Sequence, residues 1–383
     1  MVSMPSLRPG GRPELLSVDF DQRPFTVAWE LTRACALACL HCRAEAQPRA
    51  HPDELSTEEA LATVDQIADL APPVLVLTGG DPLMRRDLDR IVTRAVEAGL
   101  RVAVSPTTTA LATRERMEHL RELGVEMIHI SLDGAEAATH DAFRGFAGTF
   151  DRVTTLLGVL QEMGMPTQVG TTVTRSNVEE LPQMVPLLSR SGVRIWSVFF
   201  LVPTGRGRLD HVIDAETAER TWSWLASLSG QVPFAVRTTA APQFRRTVLR
   251  RAHEASAAPV RLTGAGYQIR EAPGGVETRG VNDGKGFVFI DHRGNICPSG
   301  FLQISGGNVR TDRLADVYRS SPLFTGLRDV SKLEGRCGRC RYSDLCGGSR
   351  ARAYGMTGSY YGDDPLCTLT DEEIAPPAAL ASA

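Results

Sequence analysis

Between residues 25 and 200, short runs rich in β-branched residues alternate with longer stretches of helical periodicity. FTVAWEL (25–31), VLVLT (74–78), RVAVS (101–105), MIHISLD (127–133), TQVGTTV (167–173) and VRIWSVFF (193–200) read as strands. The stretches near 57–70, 87–98, 112–123, 149–163 and 178–190 read as helices. The first opens on Ser56 with Glu59 three residues on, a pairing that satisfies two helix-end amides reciprocally. Strands separated by helices predict parallel pairing, because a parallel neighbour needs a crossover. No further βα unit is legible before residue 255, so the count falls short of a closed eight-fold barrel. The expected core, residues 25–252, is an α/β partial (β/α)6 TIM-like barrel, with an open sheet as the alternative. In both, ligands bind at the carboxyl ends of the strands.

The flanking segments read differently. Residues 1–24 are rich in Pro, Gly and Arg and contain no apolar signal region, so they read as a leader segment and not a secretory signal. Residues 253–285 are Gly- and Pro-rich and weakly patterned, and read as a linker or a flap. FVFID, HRGN and ICP (287–298) read as a hairpin that opens a small C-terminal domain over 286–383. A chain of 383 residues with 42% hydrophobic composition can build a large domain and a smaller one. A net charge of −3 offers no basic field for nucleic acid. No apolar run reaches the roughly 18 residues of a membrane span. These features predict a cytoplasmic protein with neither a nucleic-acid nor a membrane partner.

The eight cysteines carry the chemistry. Most fall in two clusters, a distribution that suits metal sites better than disulfides in a reducing compartment. Cys35, Cys39 and Cys42 follow the first strand in a C-x3-C-x2-C spacing. Three thiolates can hold three irons of a 4Fe–4S cube and leave the fourth iron open to a ligand. The alternative is a structural zinc completed by His41, which its adjacency to Cys42 makes geometrically awkward. Cys337, Cys340, Cys346 and Cys367 form the second set. Four thiolates can close either a complete 4Fe–4S site or a zinc site, and composition does not choose.

The chain resembles the radical SAM superfamily in three motifs that occur in order. The first is the cysteine triad after the first strand. The second is Gly79-Gly80-Asp81-Pro82 after the second strand, with Asp where the family carries Glu. The third is SLDG (131–134) followed by THDAFRG (139–145). The resemblance implies a 4Fe–4S cluster that cleaves S-adenosylmethionine (SAM) to a 5′-deoxyadenosyl radical, which abstracts hydrogen from a substrate. It implies that the Gly79–Pro82 turn binds SAM, that Ser131 contacts its ribose and that Arg144 pairs with its carboxylate. The fork of an Arg suits that last task. A ferredoxin or flavodoxin would supply the electron.

The tail resembles a truncated SPASM- or twitch-like iron–sulfur domain, including the G-N-V-R-x3-L-x2-V-Y run at 307–318. The likeness covers roughly residues 25–205 and 285–370. It favours an auxiliary 4Fe–4S cluster on Cys337, Cys340, Cys346 and Cys367, a natural acceptor for net oxidation. Arg350 stands where a second auxiliary cluster would need a cysteine, so that cluster is expected to be missing. Cys297 is then left over, either as a small buried apolar residue or as a thiol near the site.

Substrate signals are sparser. FFLVPTGRG (199–207) ends the sixth strand and resembles the mycofactocin maturase and haem-pathway decarboxylase subgroup. Arg206 and Arg208 would hold a substrate carboxylate, or else flank a tight turn in solvent. A basic helix with Arg245, Arg246, Arg250 and Arg251 reads as a solvated face, or as a dock for an acidic partner. The expected activity is oxidative modification or decarboxylation of a peptide, with a tetrapyrrole side-chain decarboxylase as the alternative. The alternative of another class is a non-catalytic iron–sulfur electron-transfer protein.

Overall fold

The computed structural model describes residues 15–255, 261–264, 266–272 and 275–375. Residues 1–14 of the expected leader segment lie outside the described residues. The first half is a run of βα units: β1 (Thr26–Glu30), α1 (Thr57–Leu70), β2 (Val74–Thr78), α2 (Leu88–Glu97), β3 (Val102–Val104), α3 (Arg114–Glu122) and β4 (Met127–Ser131). Two helices follow, α4 (Ala137–Arg144) and α5 (Thr149–Glu162), then β5 (Thr167–Val173), α6 (Leu181–Arg190) and β6 (Ile195–Phe200). All six expected strands are present, and each pairs in parallel with the next.

The sheet extends past both expected edges. After α7 (Ala215–Ser227), β7 (Ala235–Thr239) pairs in parallel with β6 and leads into α8 (Gln243–Ala255). This seventh unit was not legible because Arg237, Thr238 and Thr239 interrupt the apolar run. Residues 261–280, expected as a linker or flap, form a three-stranded antiparallel sheet of β8 (Arg261–Gly264), β9 (Tyr267–Ala272) and β10 (Gly275–Gly280). Flanking Gly and Pro hid the alternation there. The expected hairpin is β11 (Phe287–Ile290) and β12 (Asn295–Cys297), followed by β13 (Gly307–Asn308). β11 also lies parallel to β1 on the side away from β2, so the C-terminal segment continues the barrel sheet. Beyond it, α9 (Leu314–Ser320) is tied to α1 through Gln66, which accepts from the Leu314 amide at 2.8 Å and donates to the Val309 carbonyl at 2.9 Å.

The parity of the strands explains the interior. Leu75, Leu77, Ile128, Ile130, Val169, Trp196 and Val198 face the helices and are buried. Each such Leu or Ile contributes about 1.5–3 kcal/mol by leaving water. The opposite parity faces the lumen: Thr78, Ala103, Ser105, His129, Ser131, Gln168, Gly170 and Thr172. Closed TIM barrels fill that space with branched aliphatic side chains. Here small and polar residues replace them and leave a cavity of about 920 Å³. Among the described residues, no helix is long and apolar enough to cross a membrane.

Candidate active site

The loop leaving β1 is an excursion stitched shut at its base. The Cys35 amide donates to the Gln47 carbonyl at 2.8 Å, and the Gln47 amide to the Arg33 carbonyl at 3.0 Å. Cys35 and Cys39 are buried and Cys42 is half-buried, and all three line the cavity. Each sulfur meets an N–H group. The amides of Leu37 and Ala46 lie 3.4 Å from the sulfurs of Cys35 and Cys42. The Arg144 guanidinium lies 3.7 Å from Cys39 Sγ. Burial pushes the Cys35 thiol pKa up, so iron binding there would displace a proton. Three thiols on one cavity wall, each with a hydrogen-bond donor, fit an iron–sulfur cluster with one iron left open. His41 packs its ring on Phe143 at 4.4 Å, and burial holds its pKa well below the ordinary value.

The Gly-Gly turn is pressed against this loop. The amides of Gly80 and Asp81 donate to the carbonyls of Thr32 and Ala34, both at 2.7 Å. A Cβ on Gly80 would stand 2.5 Å from the Ala34 carbonyl, so a larger residue would push the two loops apart. Gly79 and Gly80 line the cavity, whereas Asp81 and Pro82 lie behind it. Asp81 accepts from the Leu83 amide at 3.1 Å and from Thr109 Oγ1 at 3.0 Å. It braces the turn from beneath.

Ser131 and Arg144 both line the cavity. Arg144 is half-buried at the end of α4 and pairs with buried Asp133, two residues past Ser131. Burial works against its charge, but the Asp133 carboxylate and the Cys39 sulfur outweigh it and raise its pKa. The guanidinium is thus anchored on one side and free to meet an anion on another.

Arg206 and Arg208, expected to hold a substrate carboxylate, are directed elsewhere. Arg206 donates to the Cys39 carbonyl at 2.9 Å and the Ala46 carbonyl at 3.0 Å, and its amide donates to the Cys42 carbonyl at 3.0 Å. Gly205, at φ +57°, lets the chain approach; a Cβ there would meet the Cys42 carbonyl at 2.6 Å. Arg206 therefore clamps the cysteine loop. Arg208 is exposed and paired with Asp210 at 2.9 Å. A cation aimed at carbonyls 160 and 167 residues away along the chain has no local sequence signature.

A further buried set was not singled out from the sequence. Glu30, at the end of β1, accepts from Arg43 of the cysteine loop at 2.7 Å and meets His292 of the hairpin at 2.8 Å. Burial opposes the Glu30 charge, but Arg43 and His292 outweigh it and hold its carboxyl below the usual range. The cysteine loop is thereby locked to the C-terminal segment. His129 also lies in the lumen, beside Ser105 and stacked on Phe199, with burial drawing its pKa to about 3. The two-residue period of strand 127–131 would have placed it there, since it shares parity with Ser131.

Cys337, Cys340, Cys346 and Cys367 all line a second pocket of about 30 Å³. They ring it; among the described residues no three Cys, His, Asp or Glu groups gather tightly enough for a single ion. Amides of Tyr342 and Gly348 lie 3.4 Å from the sulfurs of Cys340 and Cys346. Arg350 is buried and reaches Cys337 Sγ at 3.7 Å. Burial pushes the Cys346 thiol up to about 12. Behind the pocket, Asp364 and Arg352 are fully buried and bonded twice, at 2.9 Å each. Cys297 lies in an apolar group with Ala28 and Phe289, its thiol pKa pushed up to about 12 by burial.

Of the basic helix, Arg250 and Arg251 are exposed as expected, but Arg245 and Arg246 are not. Arg245 lines the barrel cavity, and Arg246 is fully buried against Glu219 at 2.7 Å, beside the second pocket.

Comparison with known proteins agrees with this geometry. The family model for the Radical SAM superfamily matches residues 29–188. The AdoMet-dependent heme synthase of Nitratidesulfovibrio vulgaris is 38% identical over 354 residues, covering 91% of this chain and 94% of that one. The mycofactocin maturase MftC of Mycobacterium tuberculosis is 30% identical over 361 residues, covering 92% of this chain and 85% of that one. Among solved structures, Streptococcus suis SuiB bound to S-adenosylmethionine matches with a TM-score of 0.68 at 16% identity, over 91% of this chain and 78% of that one. This last likeness is one of fold.

Proposed function

The chain belongs to the radical SAM superfamily and is an enzyme, and on that premise we propose that it oxidatively decarboxylates side chains of a tetrapyrrole held in the barrel cavity. The observation that carries this reading is the emptied lumen. A cavity of about 920 Å³ with a largely apolar lining and arginines in its wall suits a flat macrocycle edged by carboxylates. The likeness to a haem synthase over nearly the whole chain supports it.

Cys35, Cys39 and Cys42 would hold a 4Fe–4S cluster with SAM on its open iron. Bound there, the pair supplies a 5′-deoxyadenosyl radical that abstracts a hydrogen atom. Gly79 and Gly80 would let SAM lie against backbone, with Asp81 and Pro82 fixing the turn behind them. Ser131 and Arg144 would hold the ribose and the carboxylate of SAM, with Asp133 orienting Arg144. Converting a propionate to a vinyl group releases CO2, with the hydrogen atom going to the 5′-deoxyadenosyl radical and the remaining electron to the second cluster, which would act as acceptor. Cys337, Cys340, Cys346 and Cys367 would hold a second, fully ligated cluster suited to carrying electrons. A ferredoxin or flavodoxin is the proposed reductant. A bound macrocycle would displace water from the lumen and so protect a radical from quenching.

A peptide is the second reading, favoured by the 30% identity to a mycofactocin maturase. The test is anaerobic reconstitution with iron counting and a SAM-cleavage assay on wild type and a Cys35/Cys39/Cys42→Ala variant, each with an iron porphyrin bearing propionates. About eight irons in wild type, about four in the variant, and decarboxylated porphyrin only from wild type support the proposal. Porphyrin returned unchanged by loaded, SAM-cleaving protein contradicts the tetrapyrrole reading.

A further inference from the structure

Arg245 stands in the cavity wall on α8, just past the edge strand β7. Its guanidinium bridges two backbone carbonyls. One belongs to Val281, on the approach to β11, and the other to Leu345, at 3.2 Å. Gly280 makes room for it, since a Cβ there would run into the guanidinium. Of the other arginines near the two sites, Arg144, Arg246 and Arg352 pair with Asp133, Glu219 and Asp364, and Arg350 spends its donors on carbonyls and Cys337 Sγ; Arg206, like Arg245, bonds only carbonyls, but it does not line the cavity. Among the described residues, no carboxylate lies within ion-pair distance of Arg245. Burial outweighs the more distant attraction of Cys346, Tyr267 and Asp283 and draws its pKa down to about 10, which still leaves it charged at neutral pH.

Arg245 is half-buried, and a partly desolvated charge without a paired carboxylate is one that a ligand's carboxylate would stabilise. Tyr267, on β9, is buried beside it and lines the same cavity. It is close enough for Arg245 to oppose the rise that burial imposes on its hydroxyl. The guanidinium presents further N–H donors beyond the two used on carbonyls, and the phenol adds an O–H. Such a pair matches the two oxygens of a carboxylate.

We infer that Arg245, assisted by the Tyr267 hydroxyl, anchors a carboxylate of the substrate in the barrel cavity. This rests on the tetrapyrrole reading for the identity of the substrate, and it adds the residue that orients it. The same α8 position ties the anchor to the second cysteine segment through Leu345, so substrate engagement and that segment share one side chain.

The test is an absorbance titration of reconstituted protein with an iron porphyrin bearing four propionates and with its tetramethyl ester. The variants are Arg245→Gln, Arg245→Lys and Tyr267→Phe, with iron content and thermal midpoint measured alongside. Wild type is expected to bind the acid at least about tenfold more tightly than the ester, the value of one charge-assisted contact. Arg245→Gln removes that preference by weakening the acid alone. Tyr267→Phe weakens it several-fold. If Arg245→Gln does not fold, Arg245→Lys decides, because it keeps the charge but loses the fork; its acid affinity should fall with the ester unchanged. A folded Arg245 variant that binds the acid as tightly as wild type overturns the inference. Wild type binding acid and ester equally also overturns it and leaves the tetrapyrrole reading standing. Wild type binding neither overturns both.

Discussion

Cys35, Cys39 and Cys42 face a cavity of about 920 Å³, whereas Cys337, Cys340, Cys346 and Cys367 face a pocket of about 30 Å³. The two sites use the same side chain and similar amide-to-sulfur contacts. They differ in what surrounds them. The first is held from outside its own loop, by Arg206, by the Gly80 turn and by Arg43 on Glu30. The second is closed mostly by its own segment, with Arg350 over one sulfur and the Arg352–Asp364 pair beneath, and Gln243 and Arg246 of α8 complete its wall. A site that must admit a ligand takes its support from behind, and a site that need only hold a group surrounds it. Metal sites show the same division between open catalytic and closed structural forms.

Four perturbations should separate the two sites, in falling order of effect. Replacing Cys35, Cys39 and Cys42 with Ala should abolish SAM cleavage and leave the iron of the second site in place, as read by iron counting and 5′-deoxyadenosine assay. Asp364→Ala strands the buried Arg352 and removes the acceptor of Gln243 and the Ser349 amide. It should cost about 3–5 kcal/mol, read as a shift in urea midpoint with loss of C-terminal iron. Cluster-dependent absorbance from the first site should outlast it. Arg206→Gln deletes two charge-assisted bonds, each worth about 1.5–3 kcal/mol at most, from the first loop. SAM cleavage should slow several-fold with the second site's iron unchanged, and an equal loss from both sites would break the comparison.

The smallest effect concerns pH. Arg310 of the C-terminal segment bonds Glu59 at the start of α1 at 2.7 Å and, with the Ser56 amide, lowers its pKa to about 2. A depressed carboxylate stabilises the fold above its unfolded pKa, and that contribution fades as pH falls from about 4.5 toward 2. The pair is partly exposed, so screening keeps the effect small. Glu59→Gln should flatten the acid limb of thermal stability over that window without changing stability at neutral pH by much. A steeper acid limb in the variant would contradict the assignment.

The fold was legible where one face of a strand is aliphatic. VLVLT and MIHIS announce themselves because Leu75, Leu77, Ile128 and Ile130 pack on helices. AVRTT did not, because Arg237 and Thr239 face the lumen and leave little apolar signal. The cysteine motifs were legible because their spacing is local. Arg206 was misjudged because its targets, the carbonyls of Cys39 and Ala46, are remote in sequence. Arg245 was read as surface because helical periodicity cannot distinguish a solvent face from the face of an internal cavity. The same limit hid the junction of Glu30, Arg43 and His292, whose members lie on three distant segments.

If the emptied barrel presents a propionate-bearing macrocycle to a radical generated at the three-cysteine site, the hydrogen atom taken up comes from a propionate methylene. The most direct measurement supplies reconstituted protein with SAM, a low-potential reductant and an iron porphyrin whose propionate methylenes carry deuterium. Deuterium in the 5′-deoxyadenosine together with vinyl-bearing porphyrin is the expected result. Unlabelled 5′-deoxyadenosine with the porphyrin recovered intact would contradict it.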